Sequence, residues 1–109
     1  MENEFDLQAG VLKLTPFGEI DHHSAPRIRA EADALIEQHK PTLVLLDLSR
    51  ITFCDSSGLG LIMGRYKKIG AVGGRLTVLD PTPEISRIIA LAGLDKIINI
   101  ERSKQNVKA

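Results

Sequence analysis

The most constraining feature of the sequence is a nearly continuous apolar run, Leu43 to Leu48, bounded by turn-forming residues. Such a run is typical of a β-strand that is covered on both faces, as in parallel sheets. We therefore expect this segment to form the central strand of a sheet. With 109 residues, 43% of them hydrophobic, the chain is long enough for a single domain, residues 1–109, with one core.

Extended and helical segments surround this strand in an order that indicates an α/β fold. Apolar residues on both sides of Ala9-Gly10 predict an antiparallel hairpin at the start of the domain. Because strands and helices alternate after the hairpin, we expect right-handed crossovers and a mixed, mostly parallel sheet with helices packed on it. The remaining predicted elements are helices after the capping residue Ser24, after Asp55-Ser56-Ser57-Gly58 and from Thr82, strands at Arg75 to Leu79 and Ile97 to Ile100, and a polar end without fixed structure, 102–109.

Charge and cysteine content argue against several classes of function. The 14 basic and 14 acidic side chains cancel, and no stretch concentrates one sign, so neither nucleic acid nor a membrane surface is favoured as a partner. The single cysteine, Cys54, cannot form an internal disulfide, and we interpret it as a buried apolar side chain in a reducing cytoplasm. The acidic N-terminus and the short apolar runs predict neither export nor membrane insertion. We expect no cofactor.

The segment Asp55-Ser56-Ser57-Gly58 carries the strongest functional signal. It lies where the chain turns into the second helix, so the first backbone N–H groups of that helix lack intrahelical partners. These donors and the helix dipole make the helix start a place where a phosphate on a serine hydroxyl would be tolerated. A purely structural interpretation also fits, in which one serine caps the helix and the glycines ease a tight turn.

The helix that follows this segment has an unusual predicted outer face. At the 3.6-residue period, the buried face consists of Leu59, Ile62, Met63, Tyr66 and Ile69, and the outer face of Gly60, Leu61, Gly64, Arg65 and Lys68. Gly60 and Gly64 stack one turn apart, and each costs about 0.8–1 kcal/mol relative to alanine inside a helix. Such glycines are explained if another backbone approaches closely, from elsewhere in this domain or from a partner protein.

A second polar constellation, Glu19 to Ser24, precedes the first helix. Its Asp21, His22 and His23 could suggest a metal site, but adjacent histidines in a strand or loop point in different directions, so we expect no metal. We interpret the segment as a polar loop whose acidic residues remain available for partner contact. Ser56 lacks the Gly-x-Ser-x-Gly context and an indicated base, so we expect a binding protein and no catalytic residues.

These motifs closely resemble the sporulation anti-sigma factor antagonists within the STAS domain class. The resemblance spans almost the whole chain and is carried by Gly18 to His23, by Asp55-Ser56-Ser57-Gly58-Leu59-Gly60 and by Gly64-Arg65-Tyr66-Lys67. It implies a single STAS-like domain and a partner that is both an anti-sigma factor and an ATP-dependent serine kinase. In that family the unphosphorylated antagonist binds the kinase and releases the sigma factor. Phosphorylation of the first serine, here Ser56, inactivates the antagonist, and a serine phosphatase reverses the modification.

The resemblance also implies which residues contact the partner. Asp21 matches a kinase-contacting position, and the helix face with Gly60, Leu61 and Gly64 matches the docking helix, with Asp55 and Ser57 flanking the phosphorylated position. The alternatives are a ligand- or nucleotide-sensing STAS module and a small hydrolase that uses Ser56. We expect a cytoplasmic protein that is monomeric when free.

Overall fold

The computed structural model describes residues 3–103, with side chains from Phe5 onward. Within this range the strands form a five-stranded sheet in the order β1-β2-β4-β6-β7 and a two-stranded sheet of β3 and β5. The elements are β1 Asn3–Gln8, β2 Val11–Pro16, β3 Gly18–Ile20, α1 Ala25–His39, β4 Leu43–Asp47, β5 Ile51–Cys54, α2 Ser56–Ala71, β6 Arg75–Leu79, α3 Pro83–Leu91 and β7 Asn99–Glu101. Every strand pair except β1 with β2 is parallel, which confirms the predicted α/β class and mixed sheet.

The predicted hairpin forms from β1 and β2. Its two-residue turn has Ala9 at φ 54° and Gly10 at φ 80°, the pair of positive angles that suits the twist of the flanking strands. Gly10 is also confined sterically, because an added Cβ would lie 3.3 Å from Thr42 Oγ1. The turn therefore sets the register in which Leu12 and Leu14 enter the core.

The apolar run forms β4, the central strand, as predicted. Val44 and Leu46 are 0% and 2% exposed, and their neighbours in β2 and β6 are equally buried. The expectation that both faces are covered was wrong, because Leu43 and Leu45 on the opposite face are only half-buried. The connections from β2 to β4, from β4 to β6 and from β6 to β7 all run in the same direction across the sheet. Because such connections are right-handed, α1, α2 and α3 lie on the same face of the sheet.

The C-terminal part differs from the prediction in two places. The last strand is shorter than the segment Ile97 to Ile100, and Ile97 lies outside it, half-exposed, after a short 3-10 turn. The polar end is held at its beginning: Arg102 Nη1 donates to Pro81 O at 2.9 Å, and Ser103 N donates to Asp80 Oδ1 at 2.6 Å. The rest of the predicted polar end, 104–109, lies outside the described residues.

The pair of β3 and β5 was missed, because each strand has only three or four residues and no clear alternation of apolar side chains. We interpreted the first segment as part of a polar loop and predicted no strand in the second. In the structure Glu19 pairs with Phe53 and Ile20 with Cys54. Ile20 and Ile51 are each 1% exposed, so these strands extend the core towards the starts of α1 and α2.

The predicted faces of α2 were partly wrong. Leu61 and Arg65, which we expected on the outer face, are 4% and 6% exposed, whereas Met63 and Tyr66 are only half-buried. The helical period identified one apolar arc on α2. It could not show that α2 packs against two neighbours, the sheet and α1. The buried side of α2 is therefore rotated towards Leu61 and Arg65.

Two ion pairs connect α1 to α2 one turn apart. Arg65 Nε lies 2.8 Å from Asp33 Oδ1, and Lys68 Nζ lies 2.7 Å from Glu37 Oε2. The first pair is largely buried and the second is exposed. Burial lowers the pKa of the Arg65 guanidinium, and the Asp33 carboxylate opposes this effect, so Asp33 keeps a desolvated cation compensated.

The two pairs give a matched test of this packing. Asp33→Ala should lower the free energy of unfolding by about 2–3 kcal/mol, because it leaves a buried guanidinium without its carboxylate. Glu37→Ala should change stability little, since exposed pairs contribute little. Urea unfolding of both variants measures the difference, and equal losses would contradict the structural role given to Asp33.

Candidate functional site

The two segments that the sequence singled out are neighbours because β3 and β5 run side by side. Ile20 pairs with Cys54, and Asp55 N donates to Ile20 O at 3.1 Å. Asp21 and Asp55 thus follow paired residues at the carboxyl ends of two parallel strands. The starts of α1 and α2 lie next to each other at the same edge.

Asp55, and neither serine, caps α2. Asp55 has an extended backbone, its Oδ1 accepts from Ser57 N at 2.8 Å, and its carbonyl accepts from Gly58 N at 2.9 Å. The interpretation of a serine as the cap was therefore wrong. The Asp55 side chain therefore already accepts a hydrogen bond from one of the backbone N–H groups that we expected to face the serines.

Ser56 is the first residue of α2 and is exposed. Its hydroxyl forms no hydrogen bond with any residue between 3 and 103, so no internal interaction has to break before the hydroxyl reacts. Ser57 is half-buried and its backbone is tied to Asp55. Of the two adjacent serines, Ser56 is the more accessible to a modifying enzyme.

Gly58 has a packing role that the sequence did not reveal. A Cβ at this position would lie 2.0 Å from Cys54 Sγ and 3.3 Å from Ile20 Cγ2. Cys54 is 6% exposed, and burial, followed by the charge of Asp55, raises the pKa of its thiol. Our interpretation of Cys54 as a buried apolar residue is confirmed, and Gly58 lets α2 begin directly against β3 and β5.

Gly60 and Gly64 are different from Gly58. An added Cβ would meet nothing within 4 Å at either position. Gly60 is exposed and Gly64 is half-buried. No part of residues 3–103 needs these glycines for close packing. Of the two explanations that we considered, close approach within the domain and close approach by a partner protein, only the second remains.

Both glycines border a groove of about 390 Å³ between α1 and α2. Leu61 lies in this groove as a buried residue, so it can shape the surface but presents little area of its own. The sequence did not indicate that α1 borders this surface, because only the packing of α1 against α2 creates the groove. The groove is lined by His22, Ala25, Pro26, Arg29, Ser57, Gly60, Leu61, Gly64 and Arg65.

Asp21 organises the turn that leads into α1. Its Oδ1 accepts from His23 N at 2.9 Å and from Ser24 N at 3.0 Å, whereas Ser24 Oγ donates to Glu19 O at 2.7 Å. Ser24 occupies the predicted N-cap position of α1, but its side chain makes no capping hydrogen bond, because its hydroxyl donates to Glu19 O and accepts from Asp21 N. The hydrogen bond from the Ser24 backbone is the main cause that lowers the pKa of Asp21. The carboxylate, on the surface, remains charged and available.

The two histidines next to Asp21 lie together. The ring centroids of His22 and His23 are 4.1 Å apart with a tilt of 37°, so they do not point in different directions as we expected. The chain forms a turn here, and a turn can bring adjacent side chains to the same side. Within residues 3–103 no three His, Cys, Asp or Glu side chains are arranged to hold a metal ion.

No helix in that range is long and apolar enough to cross a bilayer.

Comparison with known proteins agrees with this geometry. The model of the STAS domain family matches residues 4–107, and the chain therefore belongs to the STAS domain family. Over 106 residues it is 37% identical to the anti-sigma F factor antagonist of Paenibacillus polymyxa, which covers 97% of this chain and 91% of that protein. The resemblance indicated by the motifs is confirmed.

Two solved structures of the anti-sigma factor antagonist SpoIIAA are also similar. The unphosphorylated form has 28% identity and a TM-score of 0.75, with 95% of this chain and 91% of that chain covered. The phosphorylated form, from Bacillus, has 30% identity and a TM-score of 0.76, with 95% and 93% covered. This fold is therefore similar to both states of that protein.

The glycines of α2 give a prediction about stability. Gly58→Ala should lower the free energy of unfolding by about 1–3 kcal/mol, because its methyl group collides with Cys54 Sγ. In a Cys54→Ala background the same change should cost much less. Gly60→Ala, the matched control two residues away, should raise stability by about 0.8–1 kcal/mol. Denaturant unfolding checks all variants, and a Gly58→Ala penalty that is independent of Cys54 would contradict the close contact.

Proposed function

We propose that this chain is an anti-sigma factor antagonist that is controlled by phosphorylation. Unmodified, it binds an anti-sigma factor that is also a serine kinase and so releases a sigma factor, and phosphorylation of Ser56 ends this binding. Membership of the STAS family and the names of its relatives support the class of function. The observation that carries the assignment to Ser56 is its exposed, unbonded hydroxyl at the first position of α2, beside the groove.

The surface proposed to contact the partner surrounds Ser56. Its loop part is Asp21 and Asp55, which β3 and β5 hold side by side. Leu61 contributes through the shape of the groove, because it is buried. The helix part is formed by Ser57, Gly60, Leu61 and Gly64, all of which line the groove.

The electrostatics of this site favour a local switch. A phosphate adds about 1.5–2 negative charges, and at a helix start it stabilises the protein by roughly 0.3–2 kcal/mol. The Asp55 carboxylate, which already accepts from Ser57 N, reduces this gain. The fold should therefore survive modification, as the similar TM-scores to both SpoIIAA forms support.

At an interface the same charge has a larger effect. A desolvated dianion next to Asp55, facing a surface shaped for a neutral hydroxyl, costs several kcal/mol, which lowers affinity about a hundredfold or more. We therefore propose release by local charge, without global rearrangement. A serine phosphatase would restore the active form, and the free protein would be a cytoplasmic monomer.

The phosphorylation site can be tested directly. The protein is incubated with candidate anti-sigma factor kinases and ATP, and the modified residue is mapped by mass spectrometry. We expect labelling of Ser56, loss of labelling in Ser56→Ala and retained labelling in Ser57→Ala, because Ser57 is the less accessible neighbour. Normal labelling of Ser56→Ala would contradict the assignment.

The role of the glycines gives a second test. Gly64→Leu should not lower thermal stability, since a Cβ there meets no described atom and leucine is a better helix former than glycine, but it should reduce kinase binding at least about tenfold by blocking close approach. Gly70→Leu is the matched control, because Gly70 is exposed on the same helix and does not line the groove. Titration calorimetry measures both, and unchanged binding of Gly64→Leu would remove the partner explanation for Gly64.

A further inference from the structure

The groove between α1 and α2 is basic, although the chain as a whole carries equal numbers of acidic and basic side chains. Its lining includes His22, Arg29 and Arg65, and none of the residues that line it is acidic. Asp33 lies behind Arg65 and is its carboxylate partner. The groove therefore presents two arginines, of which Arg65 is paired with Asp33, at the place where the partner is proposed to dock.

Arg65 does not use its full capacity to donate hydrogen bonds. Its Nη2 donates to Asp33 Oδ2 at 3.3 Å and its Nη1 to Leu61 O at 3.4 Å, both longer than the usual 2.7–2.9 Å of charged pairs. The Nε lies 2.8 Å from Asp33 Oδ1, but this buried N–H is poorly aligned with the oxygen. A guanidinium has five N–H donors, so this buried cation can accept another anionic partner.

Arg29 supplies a second guanidinium on the opposite wall. It is exposed and forms no hydrogen bond or ion pair within residues 3–103. Its charge acts on Arg65: burial is the main cause that lowers the pKa of Arg65, Asp33 opposes it, and Arg29 lowers it further. Arg29 and Arg65 are thus close enough for their charges to interact, and of the two only Arg65 is paired with Asp33.

The two glycines provide access to these cations. Gly60 and Gly64 leave open space where their side chains would be, so the backbone of a partner can approach α2 closely. A carboxylate on such a segment could reach the guanidinium groups across the groove. Arginine suits this role because its planar fork can bind both oxygens of one carboxylate.

We propose that the groove receives an acidic segment of the partner protein, and that a carboxylate of this segment pairs with Arg29 and Arg65. This inference rests on the proposed function and specifies the chemistry of its partner. It also gives the switch a second physical basis. A phosphate on Ser56, adjacent to the groove residue Ser57, would repel an acidic segment.

The test uses the anti-sigma factor kinase that labels Ser56. Arg29→Glu should reduce its affinity by roughly 10- to 100-fold, whereas Arg29→Lys should lose less, because lysine keeps the positive charge but not the planar fork. Arg87→Glu, an exposed arginine of α3 outside the groove, is the matched control for the same change of charge and should lose little. Because Arg29 and Arg87 are both exposed, thermal unfolding of all three variants should match that of the wild type.

Two further measurements separate the possible causes. The affinity of the wild type should fall with rising potassium chloride, and this dependence should be weaker for Arg29→Gln. Millimolar inorganic phosphate, compared with potassium chloride at the same ionic strength, should not displace the kinase. Two results together would overturn the proposal: phosphate displaces the kinase, and kinase binding does not depend on Arg29. They would show that the groove takes a small anion.

The outcomes distinguish this inference from the function on which it rests. If no candidate kinase binds or labels the wild type, the proposed function fails. If the wild type binds but Arg29→Glu binds equally well, or loses no more affinity than Arg87→Glu, the acidic segment is excluded and the proposed function stands.

Discussion

The parallel pairing of β3 with β5 is the interaction on which the site depends. It places Ile20 beside Cys54 and joins Asp55 N to Ile20 O, so the chain leaves both strands at the same edge. The helices α1 and α2 consequently begin side by side. Gly58 completes this arrangement, because any larger residue would push the start of α2 away from Cys54.

The site combines a firmly held scaffold with an unused surface. Beneath it, the buried pair of Arg65 and Asp33 connects α1 to α2, and Asp55 and Asp21 satisfy the amides at the starts of the two helices. Above it, the Ser56 hydroxyl is exposed. Under the proposed function, a charge added to that hydroxyl would change the proposed docking surface much more than the stability of the domain, which is what a reversible protein switch requires.

The predictions succeeded where a local pattern had one physical cause. The hairpin around Ala9-Gly10, the central strand β4 and the cap of α3, in which Thr82 Oγ1 accepts from Ile85 N, could each be inferred from neighbouring residues. The outer face of α2 was misassigned because a helical period gives an apolar arc but not the number of elements that cover it. Arg65 was placed in solvent because the period cannot show that Asp33 of α1 would pair with it.

The sequence by itself determined the class of fold, the family and the segment that begins with Asp55, because these depend on local periodicity, turn chemistry and adjacent motif residues. Only the tertiary structure decided that Asp55 caps α2, that Gly58 is needed for packing while Gly60 and Gly64 are not, and that α1 contributes to the groove. The physical reason is that a local pattern offers several possible caps and faces, and the tertiary contacts select among them. Asp55 Oδ1 accepts from Ser57 N and Gly58 lies against Cys54, both close in sequence, but the pairing of β3 with β5 sets where α2 begins. The groove depends on residues far apart in sequence, and no local pattern encodes which of two exposed-looking faces another helix will cover.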